Sequence, residues 1–270
     1  MDKEKIKKIL KVSLIVFIIL TALVFWGEKA YYFLEDEEDL SWLPCHVNED
    51  IATIEIKGEI VPYFVESGDN EKPDDYAVSE DIVYCLNRAK QSSDVKAVVL
   101  EINSYGGGPV ASEEIMNAVK KLGKPSVAVI SESAISGAYL VASAADRIFA
   151  SEISDIGGIG VTMSYLDYSE QNQRDGVTYQ ELASGKFKNT GDPDKPLTAE
   201  EKELIMRDLK ISHEFFVKKV SQNRRLDIEK VKKLADGSSM LGQMAKENDL
   251  IDEIGDIDSA KNWLNSNKGD

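Results

Sequence analysis

Two short stretches carry the residue types that an acyl-transfer site needs. One is Asn103-Ser104-Tyr105-Gly106-Gly107-Gly108; the other is Ser133-Ala134-Ile135-Ser136-Gly137-Ala138-Tyr139. Each follows an apolar run that reads as a buried strand, so each falls at a strand's carboxyl end, where open parallel sheets place their sites. Consecutive glycines let backbone N–H groups turn toward a ligand, although the same residues also suit a plain tight turn. Ser136 has two readings. It is an N-cap whose hydroxyl satisfies a helix start, or a nucleophile at a helix N-terminus, where developing negative charge is favoured. Side by side, the two strand ends would form an oxyanion pocket.

A nucleophilic serine needs a base. The chain has only two histidines, His46 and His213, and neither sits in a motif that would complete a Ser-His-Asp triad. Lysine is the next candidate, provided that burial lowers its pKa enough to leave the amine neutral. Leu182-Ala183-Ser184-Gly185-Lys186-Phe187-Lys188-Asn189 supplies two lysines. Spacing does not choose between Lys186 and Lys188, and either could be a solvated surface residue. Two histidines and two cysteines without short paired spacing make a poor metal-ligand set, so no metal and no cofactor is expected.

The elements that would position these residues alternate. Ala52, Ile54 and Ile56 alternate with polar residues as in a half-buried strand. Residues 62–78 are turn-rich and read as a flap. Ser79 is placed to cap a helix carrying Ile82, Val83 and Leu86. Val95–Asn103 and Ser126–Ser131 are nearly continuous apolar runs, the pattern of strands buried on both faces. Between them a helix carries Ile115, Val119 and Leu122. A small-residue helix is expected from Ser136 to about Ala145, then a short strand over Arg147–Ala150. Thr198 and Glu201 form a capping box that opens a helix to about Ser221, and a second helix is expected over 227–236. Strand–helix alternation of this kind predicts an α/β fold with a mostly parallel sheet and flanking helices.

The first 50 residues differ in character. Val12–Trp26 is apolar except for Ser13 and Thr21, and extending back to Ile9 gives 18 residues with one charge, Lys11. About 17–25 residues span a bilayer, so the run reads as a single transmembrane helix. Glu28 stands where a signal-peptidase site wants a small residue, which favours a retained anchor. Lys3, Lys5, Lys7, Lys8 and Lys11 precede the run and an acidic stretch, Glu35–Asp39, comes after it. The positive-inside rule then puts the N-terminus in the cytoplasm and the bulk of the chain outside. The expected organisation is a basic segment 1–11, an anchor 12–27, an acidic tether 28–49 and a catalytic domain 50–270. The net charge of −16 argues against nucleic acid as a partner. Cys45 and Cys85 read by default as unrelated residues; outside the cytoplasm a disulfide is chemically allowed, but sequence does not show that the two meet.

Several segments together resemble one family. They are Asn103–Gly108, Ser136-Gly137-Ala138-Tyr139, Ala144–Ala150, Gly157-Gly158-Ile159-Gly160-Val161, Ser184-Gly185-Lys186-Phe187-Lys188 and Ala235-Asp236-Gly237. In order and spacing they are similar to the signal peptide peptidase A family, over about residues 50–265. The resemblance implies a ClpP/crotonase-like fold, a membrane anchor, an extracytoplasmic catalytic domain and a ring-shaped homo-oligomer. It also implies a Ser-Lys dyad, with Ser136 as nucleophile, Lys188 as general base, and the backbone N–H groups of Gly107 and Gly137 as oxyanion hole. Lys186 matches no catalytic position. The implied substrates are short apolar peptides such as signal-peptide remnants. Three positions depart from the family's pattern. Tyr105 stands where proline is frequent, Ala138 replaces a second glycine, and Gly158 replaces a serine whose hydroxyl supports the lysine. Two other readings compete. One is a catalytically silent membrane scaffold of the same fold, which the missing hydroxyl at Gly158 favours. The other is a crotonase-type acyl-CoA enzyme, against which the anchor and Ser136 argue.

Overall fold

A computed structural model describes residue 21 and residues 43–47, 50–63 and 76–267. The expected basic segment, all of the anchor but Thr21, most of the tether and the centre of the flap lie outside the described residues. Among the described residues, no helix is long and apolar enough to cross a membrane. The chain divides into two units, Met1–Leu43 and Pro44–Asp270.

The elements of the second unit run β1 (Cys45–His46), β2 (Ile51–Lys57), β3 (Glu59–Val61), β4 (Tyr76–Val78), α1 (Ser79–Gln91), β5 (Ala97–Ser104), α2 (Pro109–Lys120), β6 (Ser126–Ile135), α3 (Gly137–Ala142), β7 (Arg147–Ala150), β8 (Asp155–Gly157), α4 (Ser169–Arg174), α5 (Ala199–Arg224), α6 (Ile228–Leu234), β9 (Ser239–Leu241), α7 (Gly242–Glu247), β10 (Glu253–Ile254) and α8 (Ile257–Asn267). The main sheet has the order β1-β2-β5-β6-β7-β10, with β8 pairing the second half of β6 and β9 pairing β8. Only β1–β2 and β8–β9 are antiparallel. The sheet is therefore mixed and mostly parallel, as strand–helix alternation predicts.

Alternation of side chains across the strands explains the two-sided core. Ala97 and Val99 of β5, with Val127 and Val129 of β6, pack with Phe149 against Ala260 and Leu264 of α8. Val98, Leu100, Ile102, Ala128 and Ile130 face the other way and are equally buried, on the side that α1, α2 and α3 cover. Each valine, leucine or isoleucine among them contributes about 1.5–3 kcal/mol when fully buried. That burial is why the apolar runs of β5 and β6 lack alternation.

Several local expectations change in the fold. Val78, not Ser79, is the N-cap residue of α1. Ser79 is its first residue, and its hydroxyl donates to Glu114 Oε2 (3.0 Å) and the Pro62 carbonyl (3.3 Å) instead of capping. β6 continues four residues past Ser131, because Ser133–Ile135 find a new partner in β8 after β7 ends. α3 stops at Ala142, short of Ala145. Asp146 accepts from the N–H and hydroxyl of Ser126 (2.8 and 2.9 Å), which draws the chain back toward β7. α5 extends to Arg224 and ends on Arg225 in the left-handed region, φ 55°. The Thr198/Glu201 capping box forms in both directions.

The default reading of the cysteines is corrected. Cys45 and Cys85 form a disulfide, with Cα atoms 6.0 Å apart and a sequence separation of 40. It ties β1, a strand of two residues, to the buried face of α1. A loop of this length is stabilised by about 3–4 kcal/mol when closed, mainly by constraining the unfolded chain. The double substitution Cys45→Ser/Cys85→Ser is expected to lose about that much, read as a lower denaturant midpoint, and to leave turnover unaffected once folded.

Candidate active site

β5 and β6 end beside each other and deliver the two motifs to one place. At the end of β5, Gly106 N–H donates to Ser104 Oγ (3.0 Å), and that hydroxyl donates to the Gly58 carbonyl (2.5 Å). β3 grips the glycines from outside. Ile60 N–H donates to the Gly106 carbonyl (2.9 Å) and Gly108 N–H donates to the Ile60 carbonyl (2.7 Å). The residue between them, Gly107, is pressed so close that a Cβ there would lie 2.1 Å from the Ile60 oxygen. Glycine is therefore required by close backbone approach.

At the end of β6, Ser136 adopts φ 53°, ψ −125°. A residue with a Cβ pays roughly 1–3 kcal/mol for such a conformation. Ser136 N–H donates to the Gly157 carbonyl (2.8 Å), and the Ser136 carbonyl accepts from Leu140 N–H (3.0 Å). The residue thus occupies the N-cap position of α3, yet its side chain makes no capping hydrogen bond. Of the two readings of this serine, the N-cap hydroxyl is not what the fold uses.

Two backbone donors sit beside it. Among the described residues, no backbone acceptor pairs with the N–H of Gly107 or of Gly137. The two are neighbours: an ideal Cβ on Gly137 would be 3.5 Å from Gly107 N, and one on Gly106 would be 2.8 Å from Gly137 N and 3.0 Å from Ser136 Cβ. Gly137 is buried and Gly107 is exposed, so the pair lines a surface-accessible pocket, and two such donors next to a strained serine suit an oxyanion.

α3 is anchored from behind. Tyr139 is fully buried and its hydroxyl donates to the Leu250 carbonyl (2.8 Å). Burial pushes that hydroxyl's pKa up, so it remains a donor. Ser143 accepts from Asn223 Nδ2 (3.0 Å), and the neighbouring Arg224 forms a two-pronged pair with Asp252 (2.9 and 3.0 Å). The end of α5 thereby backs the small-residue turn that carries Ser136.

The two lysines differ in their partners. Lys186 Nζ pairs with Glu200 (2.6 Å) and lies over the Phe187 ring. Among the described residues, no ion pair or side-chain hydrogen bond holds the amine of Lys188; its backbone N–H donates to Gly185 (3.0 Å). Lys188 is exposed, as is most of the segment from 161 to 200. The expected burial of the lysine is therefore not met by this chain's own fold, and no hydrogen bond joins Lys188 to Ser136. Gly158 has φ +57°, and a Cβ there would meet Ile135 Cγ2 at 2.4 Å. A side chain at this position would therefore need Ile135 to shift and would be strained by the positive φ. The contribution of Ile60 was invisible in the sequence. It acts only through backbone atoms, and its partners are about 50 residues away.

A strained, uncapped serine beside two backbone amides without a backbone acceptor suits acyl transfer. The profile of peptidase family S49 matches residues 118–269. A Methanocaldococcus jannaschii protein named as a protease is 33% identical over 257 residues, covering 94% of this chain and 81% of that protein. An Enterococcus faecium protein named as signal peptide peptidase SppA is 37% identical over 186 residues, 68% of this chain and 54% of its own length. The chain therefore spans about half of that relative. Among solved structures, a ClpP1 mutant from Listeria monocytogenes aligns with TM-score 0.48 and 16% identity, over 76% of this chain and 91% of that one. The chain belongs to peptidase family S49.

Proposed function

We propose that this peptidase is a membrane-anchored endopeptidase of ClpP/crotonase-like architecture that uses a Ser-Lys dyad on short apolar peptides such as signal-peptide remnants. Ser136 Oγ attacks the peptide carbonyl while Lys188 takes the hydroxyl proton. The tetrahedral oxyanion accepts from the N–H groups of Gly107 and Gly137. Lys188 then gives the proton to the leaving amine, and water, activated by the same amine, releases the acyl group. The observation that carries this reading is the strained, uncapped Ser136 beside two unpaired amides. Lys188 is favoured over Lys186 because the Lys186 amine is engaged by Glu200, whereas among the described residues no ion pair or side-chain hydrogen bond occupies the Lys188 amine.

The missing burial of Lys188 points to assembly. The segment around it exposes Met163, Leu166, Val177, Leu182 and Phe187, with Leu182 96% exposed. Apolar side chains at this density mark an interaction surface. A ring of copies would cover the segment and withdraw water from the lysine. The apolar run 12–26 and the lysines before it support an anchor with the peptidase domain outside the cytoplasm. The Cys45–Cys85 disulfide suits an oxidising compartment.

An apolar peptide library, offered to wild type, Ser136→Ala, Lys188→Ala and Lys186→Ala, tests the dyad. The first two substitutions are expected to abolish cleavage. Lys186→Ala is expected to stay within about fivefold of wild type, the worth of an exposed ion pair. Specific activity is expected to fall on dilution below the assembly concentration. Gly158 keeps a second reading in view, the silent scaffold. That reading requires wild type to assemble yet neither cleave nor react with a fluorophosphonate.

A further inference from the structure

The loop that carries Lys188 is closed by a half-buried lysine with two carboxylate partners. Lys195 Nζ lies 2.9 Å from Glu181 Oε2 and 2.9 Å from Glu201 Oε1. Glu181 and Lys195 stand 14 residues apart, so their contact shuts the loop 182–194 at its base. Glu201 fixes that closure to the first turn of α5. Its other oxygen accepts from the Thr198 N–H and hydroxyl (2.9 Å each). The side chains of Lys195 and Glu201 are 17% and 3% exposed, against 63% and 60% for the pair between Lys186 of the loop and Glu200 of α5. Exposed pairs hold geometry weakly; a shielded cation shared by two carboxylates holds it well. The Thr198 N–H, then Lys195, bring the Glu201 carboxyl down to about 2, so the junction stays charged in any working buffer. Just before the loop, Tyr179 hydroxyl donates to Asp192 (2.9 Å), and Asn189, next to Lys188, donates to Tyr179 (3.4 Å). These bonds brace the stretch that follows the lysine against Tyr179.

We propose that Lys195 is a positioning residue for the reaction. Through Glu181 and Glu201 it locks the Lys188 loop onto the start of α5 and sets where the base is presented. This rests on the reading of Lys188 as the base. A misplacement of about 1 Å costs on the order of 100-fold in rate without weakening substrate binding in proportion.

The test uses the full chain in detergent micelles and an apolar fluorogenic peptide, with Lys195→Met, Lys195→Arg, Glu181→Gln and Lys188→Ala in parallel. Lys195→Met is expected to lower kcat by about 10–100-fold, with KM nearly unchanged and the pH dependence of kcat displaced. Lys195→Arg, which can still bridge two carboxylates, is expected to recover most of the rate. Glu181→Gln, which leaves the capping box whole, is expected to give a smaller kcat loss of the same kind, and it decides the matter if Lys195→Met does not fold. If Lys188→Ala is inactive while Lys195→Met and Glu181→Gln keep wild-type kcat and pH profile, with only a lower Tm, positioning is overturned and the dyad stands. If Lys188→Ala retains turnover, the base assignment falls and this proposal with it.

Discussion

Replacing Ser136 by alanine is expected to remove peptidase turnover by about 10⁴-fold or more, the scale at which hydrolases lose a nucleophile. The fold should survive, because the hydroxyl caps no helix and supports no neighbour. Replacement by glycine should be equally inactive yet more stable than the alanine variant, by about 1 kcal/mol. Alanine keeps the Cβ that φ 53° penalises and glycine does not. The order of stability, glycine above alanine with both inactive, is the signature of a residue whose strain serves function. Thermal unfolding and peptide hydrolysis on the same preparations would read it. Appreciable turnover by either variant would remove Ser136 from the chemistry.

Gly107→Ala is expected to have the second largest effect. Its Cβ would sit 2.1 Å from the Ile60 oxygen and 2.7 Å from the Ile60 nitrogen. Both are backbone atoms of a paired strand, so the glycine loop or β3 must move. Loss of one oxyanion donor costs about 10²–10³ in kcat, and the overpacking costs roughly 1–3 kcal/mol of stability. Gly123→Ala provides the contrast. Gly123 also has positive φ, but nothing lies within 4 Å of its Cβ position. It should lose some stability through backbone strain and keep wild-type kcat. If Gly107→Ala matches it in rate, the Gly107 N–H is not a donor to the transition state.

The two halves of the proposed dyad differ in rigidity within a single chain. Ser136 N–H is held by one carbonyl, that of Gly157 on β8, and the helix after it is held from distant segments, Tyr139 by the Leu250 carbonyl and Ser143 by Asn223. Lys188 by contrast belongs to a segment with few buried side chains. The serine is therefore preorganised by the core, whereas the lysine depends on the Lys195 junction and, in the proposed assembly, on a neighbouring copy.

Much of this was legible in the sequence because it is local. The Thr198/Glu201 capping box, the Arg147–Ala150 strand and the apolar runs of β5 and β6 are written in spacing over a few residues, where periodicity and capping chemistry act. The glycine and serine motifs were visible for the same reason: each comes directly after its own strand. What the sequence could not carry depends on which distant segments meet. Cys45 and Cys85, 40 residues apart, have Cα atoms 6.0 Å apart because β1 pairs with β2, against which α1 packs. β6 outruns its apolar pattern because β8 supplies a second partner. The difference between Lys186 and Lys188 is a matter of which one Glu200 reaches. Local pattern selects elements and places candidate residues at their ends; backbone approach and ion pairing across the fold decide which of those residues are held, and which are left free to react.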